Sequence, residues 1–211
     1  QSGRSLHPSL RREKTTSERI VVIAMQTAGT LSSRPANSTE ALSHAIDALR
    51  EALRQQAELV AAASDDQYIA KPRRGESGIG PHVRHCLDHA RALLMGYESG
   101  VVNYDERERG TQIESQRATA FDAIQEIIER LQHWARIVLD EPLSVQTMVT
   151  ADGAFCLAES SVTRELLFVL SHTIHHNAMI AAAAKVVGVE LPKGFGYAPS
   201  TLAHRYRCAQ S

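Results

Sequence analysis

Leu170-Ser171-His172-Thr173-Ile174-His175-His176 sets two histidines four residues apart within an apolar run. Around it Leu166, Leu167, Leu170, Ile174, Ala178 and Ala181 recur at helical rather than strand intervals. The spacing predicts a long helix that starts at Ser160 or Ser161, continues to about Val187 and ends on Gly188 as its C-cap. Residues four apart share a helix face, so His172 and His176 can each place a ring nitrogen on one ion at about 2.0–2.1 Å. His175 lies about 100° further round the helix and is expected to stay outside that pair.

Three more helices precede this one. Asn37-Ser38-Thr39-Glu40 sets a capping residue three positions before a glutamate, and Leu42, Ile46, Leu49, Leu53 and Val60 then form one apolar face to about Ala63. After a polar link, Ser64 to Ser77, the run Gly78-Ile79-Gly80-Pro81 opens a second helix with proline in its first turn, reaching about Glu98. Its apolar face is Val83, Cys86, Leu87, Ala90 and Leu94. Gly100 to Glu114 is dense in charge and reads as a surface loop. Ala118, Phe121, Ile124, Ile128, Leu131, Ala135 and Val138 predict a third helix ending near Asp140, before Pro142. Val145–Val149 and Phe155–Leu157, either side of Asp152-Gly153, predict a short β-hairpin or extended connection to the fourth helix.

Four helices with short links imply an all-α four-helix bundle over residues 37–188. Residues 1–36 read as a flexible segment. Residues 189–211 contain Pro192, Gly194, Gly196 and Pro199, and read as an extended or turn-like tail that Phe195, Tyr197 and Leu202 pin to the bundle.

At 211 residues the chain suits one domain with tails. Its 23 basic and 24 acidic residues nearly cancel, so no global field would hold a nucleic acid or an anionic membrane. Three widely spaced cysteines, without any CxxC, argue against a disulfide scaffold or thiolate zinc site and fit a reducing cytoplasm. The apolar run Ile20–Met25 is far short of the ~20 residues a span needs, and its flanks do not suit a signal peptide. Neither a membrane partner nor export is expected.

Six of the ten histidines form two groups: His82, His85 and His89, then His172, His175 and His176. Any of the first three can supply a third ligand across the bundle, and spacing does not choose between them. Tyr104 to Arg109, with Glu114 beyond, is either a polar wall that takes a substrate carboxylate on Arg107 or Arg109, or a solvated loop with local ion pairs. Cys86 is either a thiol near the ion or a small buried residue. Glu165 and Asp88 are candidates to hydrogen-bond a ligand histidine or act as a general base. A di-iron carboxylate site is disfavoured, because Val169 and Thr173 stand where Glu-x-x-His pairs need glutamate.

Ile79-Gly80 with His85 in one helix, and Leu170 to His176 in the last, resemble the DinB-like superfamily of metal-binding four-helix bundles over about Asn37 to Gly188. The resemblance implies one histidine on the second helix and two, separated by three residues, on the fourth. These are His85, His172 and His176, with His89 the fallback for His85, around a zinc- or nickel-type divalent ion. It also implies a transferase or isomerase that uses a low-molecular-weight thiol, and no residue is assigned a catalytic role. The expected partners are a small-molecule substrate or thiol and, for assembly, a second copy in a homodimer. The alternative is a non-catalytic, metal-stapled binding or sensing module. Where many members continue Arg-Gly-Gln after the last ligand, this chain has Asn177-Ala178-Met179, which removes a cation near the metal.

Overall fold

A computed structural model describes residues 38–73 and 75–210. The cap at Asn37, the segment 1–36 and its apolar run lie outside the described residues. Four long helices form the body: α1 (Ser38–Ala62), α3 (Ile79–Ser99), α5 (Arg117–Trp134) and α6 (Val162–Val186). Short elements lie between and after them: α2 (Asp65–Ile69), β1 (Val101–Asn103), α4 (Gln112–Ser115), β2 (Pro142–Met148), β3 (Phe155–Ser161) and α7 (Pro199–Cys208).

The expected apolar face of α1 is in the core, with Leu42, Ile46, Leu49, Leu53 and Val60 all buried. It packs on α5 and α6, and α3 packs on the same two, so α1 and α3 occupy opposite corners. The chain therefore crosses the bundle between its first two long helices. That crossing uses the link after Ala63, in which the short helix α2 was not expected. Ser64 and Gln67 form a reciprocal capping box that starts α2. The Gln67 amide also donates to the carbonyls of Val187 and Gly188, satisfying the exposed end of α6. Gly188 follows that helix in the left-handed conformation (φ 76°), as a C-terminal cap requires.

Several boundaries differ from expectation. The third long helix stops at Trp134, six residues early, because tight turns from His133 and Trp134 redirect the chain while Val138 still reaches the core. The hairpin is longer than expected, with Pro142 to Met148 paired antiparallel to Ser161 to Phe155. The charged loop contributes β1, which pairs in parallel with β2 (Val102 opposite Val145) and completes a three-stranded sheet. The tail is not wholly extended: α7 begins at Pro199, whose missing N–H costs nothing in a first turn. Of the three predicted anchors Phe195 is buried, whereas Tyr197 and Leu202 remain exposed, and Val189 and Leu191 also pack on the core. By length and hydropathy α6 is apolar enough to cross a membrane, a property it shares with core helices.

The start of α3 is held tightly. Tyr68 of α2 is fully buried and donates to the carbonyl of Ile113 at 2.7 Å, tying α4 to α2, and α4 also packs on α3. A side chain at position 80 would collide with the Glu114 carbonyl, so only glycine allows this approach. Gly80→Ala is expected to lower stability by about 1–3 kcal/mol through overpacking. Urea unfolding checks this, and an unchanged midpoint would contradict it.

Candidate metal centre

On α3, spacings of three and four residues align His82, His85 and His89, and on α6 they align Phe168, His172 and His176. Direct packing of α3 on α6 brings these stripes face to face. His85 Nε2 lies 2.9 Å from His172 Nε2, and His82 Nδ1 lies 3.1 Å from His176 Nδ1. The ring of His85 is centred 4.4 Å from His89 and 4.5 Å from His176. His89 stacks on His172 at 4.1 Å. Among the described residues, His85, His89 and His172 have ligand atoms all within 4.8 Å of one another and can hold a metal ion. His176 adjoins them, 4.5 Å from His172 between ring centres. His175 is exposed, as expected from its position round the helix.

Burial strips water from these rings, and neighbouring imidazoles repel added protons. Desolvation, then His89 and His176, push His85 from 6.5 to about 3. His172 falls to about 4 and His176 to about 3, again through desolvation first and neighbouring histidines second. His82 and His89 are also lowered, chiefly by desolvation. At neutral pH the cluster is therefore a set of uncharged imidazoles, the form that ligates metal.

Hydrogen bonds set the tautomers. A carbonyl only accepts, so His89 Nδ1 donates to the His85 carbonyl at 3.0 Å and leaves its Nε2 lone pair available. A guanidinium only donates, so Arg107 Nη1 donates to His85 Nδ1 at 3.3 Å. The neutral His85 ring then carries its proton on Nε2, where it bridges to His172. That proton fills the space between two nitrogens set 2.9 Å apart, close to the roughly 3.3 Å expected for two imidazoles on a tetrahedral zinc.

Of the other predicted residues, Arg107 reaches the cluster and Arg109 is exposed without contact to it. Glu165 is fully buried, but it touches no histidine; it accepts from Tyr104 (2.8 Å), Ser160 and Arg164. Tyr104 in turn stacks on His89, with ring centres 5.1 Å apart, and so links Glu165 to the site. Asp88 pairs with Arg84, which also binds Glu114. Cys86 is buried and its thiol pushed up to about 12, chiefly by desolvation, so it acts as a small core residue. Asn177 points away from the histidines: it accepts from Gln56 and donates to the Ala52 carbonyl of α1. Phe168, stacked on His172 at 5.7 Å, escaped the sequence reading, although its place four residues earlier was the available signal.

The unfolded chain takes up protons on these histidines below about pH 6.5, while the folded cluster refuses them until about pH 4. Metal-free protein should therefore lose stability as pH falls through that window, with no such loss above it. Urea midpoints from pH 4.5 to 8 check this. Replacing His85, His172 and His176 by glutamine should flatten the dependence; an unaltered slope would contradict the assignment.

The sequence profile of the DinB superfamily matches residues 40–180. Among solved structures, YfiT from Bacillus subtilis, described as "a probable metal-dependent hydrolase with an unusual four-helix bundle topology", superposes with a TM-score of 0.56 at 15% identity. The likeness is one of fold and covers 77% of this chain and 97% of YfiT. FK506-binding protein 5 of Rhizopus delemar is 38% identical over 105 residues, which is 49% of this chain. The match covers 27% of that relative, so the chain spans about a quarter of its length. With the profile matching more than half of the chain, and with the bundle and facing histidines described above, this protein belongs to the DinB superfamily.

Proposed function

We propose that the protein is a metal-dependent enzyme in which three histidines hold a divalent ion that activates a low-molecular-weight thiol, or water, for transfer to a small electrophile. The observation that carries this reading is the convergence of neutral imidazoles from α3 and α6, with no carboxylate among them. An all-imidazole set suits zinc or nickel better than magnesium or calcium. His85 and His172 are the shared ligands, and His85 would ligate through Nε2 once its proton moves to Nδ1, which ends its acceptance from Arg107. Resemblance favours His176 as the third, whereas ligand-atom proximity favours His89. When bound, such an ion supplies a Lewis acid that lowers the pKa of a thiol or water toward neutrality.

The chain's own groups prepare the site. The His85 carbonyl fixes His89 with its Nε2 lone pair available, and Tyr104, anchored on Glu165, stacks on the face of that ring. Tyr104 and Phe168 form an apolar wall 5.1 Å apart that limits water on one flank of His89 and His172. The word hydrolase in the description of YfiT makes water a competing nucleophile to thiol. A second reading, a non-catalytic module in which the ion staples α3 to α6, draws on Asn177, which ties α6 to α1 where the family resemblance leads one to expect arginine.

Elemental analysis of zinc- or nickel-loaded protein should find one ion per chain, and His172→Ala should lose it. Comparison of His89→Ala with His176→Ala identifies the third ligand, since only its removal should weaken binding by tenfold or more (about 1.4 kcal/mol). Loaded protein should turn over a thiol with an electrophile, or a hydrolysable ester, and stripped protein should not. Metal binding with inertness toward both substrate types would favour the staple.

A further inference from the structure

A cleft of about 550 Å³ opens between the outer face of α3 and the loop that follows β1, and it meets the histidines through Arg107, which lines it and contacts His85. Its lining includes Asp88, Arg91, Met95, Asn103, Arg107 and Thr111. Both ends of the loop are anchored: Tyr104 hydrogen-bonds Glu165, and Gly110 donates to Glu114, which also holds Arg84. Only the exposed tip around Arg107 is left to reach inward, and it ends on His85.

Arg107 differs from Arg84 and Arg164, the arginines that pair with Glu114 and Glu165. Arg84, Arg117 and Arg164 each pair with a carboxylate, whereas among the described residues the Arg107 guanidinium has only the His85 ring. An imidazole nitrogen occupies one of five guanidinium donors and neutralises none of its charge. Thr111, on the same cleft, has a buried hydroxyl with no hydrogen-bond partner among the described residues. The guanidinium stands one imidazole's width from the His85 and His172 Nε2 pair, a separation on the scale of a short bifunctional molecule.

We propose that this cleft binds a small carboxylate-bearing substrate, with Arg107 receiving the carboxylate and the reactive end turned toward the histidines. This rests on the metal-site reading above. A guanidinium matches a carboxylate through two parallel hydrogen bonds, which a single imidazole nitrogen cannot do. Glu106 and Glu108 also line the cleft, and Asp88 is already neutralised by Arg84. The surroundings therefore select a single carboxylate over a dianion.

Isothermal titration of the zinc-loaded full chain tests this with two probes, 3-mercaptopropionate and the uncharged 3-mercapto-1-propanol. The acid should bind about tenfold more tightly than the alcohol, the gain of a charge-assisted pair. Arg107→Ala should remove most of that preference, and Arg109→Ala, on the same loop but off the cleft lining, should retain it. Equal binding of the two probes, or a preference that survives Arg107→Ala, would overturn the proposal while leaving the metal site standing. Failure of the chain to take up zinc would overturn both.

Discussion

The close packing of α3 on α6 governs the rest of the structure, because it forces five imidazoles into one contact. Rings centred 4–5 Å apart cannot all be charged, since like charges at that separation repel strongly wherever water is thinned. The helices can close only around neutral rings, and burial supplies that condition by pushing the histidines well below their ordinary range. Neutral imidazoles carry one N–H and one lone pair each, and at His89 the N–H is spent on the His85 carbonyl, which leaves that lone pair open. A proton between His85 and His172, and another between His82 and His176, settle one lone pair each. A dication satisfies several at once, which is why the same packing that excludes protons favours a metal.

The supports around the site serve that contact. Gly80 lets α4 press on the start of α3, and Arg84 locks the two together through Glu114. On the far side of α6, Gln56 and Asn177 close a buried amide pair that fixes the helix against α1. Held from both sides, α6 keeps His172 and His176 facing α3. The diagonal placement of α1 and α3 leaves the outer face of α3 free for the loop that carries Tyr104 and Arg107.

The long helices were legible in the sequence because their apolar positions keep a 3.6-residue period, and capping residues mark Ser161 and Gly188. The third ran too far on paper because Ala135 and Val138 sustain the period after the backbone has turned. The strand β1 is three residues long, too short for alternation to register, and Pro199 reads equally as a breaker or a helix start. At the site, the two histidine groups and their pairing were legible from spacing. The third ligand was not, because His89 shares a face with His85 and His176 shares one with His172, so spacing does not rank them. The contacts of Tyr104 and Arg107 depend on how a charged loop folds back across α3, and no local pattern encodes that path. Asn177 shows the converse: its place after His176 suggested a position near the metal, yet one further step round the helix turns it into the core.

The central claim is that imidazoles from α3 and α6 together ligate one ion. X-ray absorption at the zinc edge of the loaded protein tests it most directly. The account predicts a first shell dominated by nitrogen, with the outer-shell scattering of three imidazoles and no sulfur. A shell of oxygen alone, or one containing thiolate sulfur in the absence of added thiol, would contradict it.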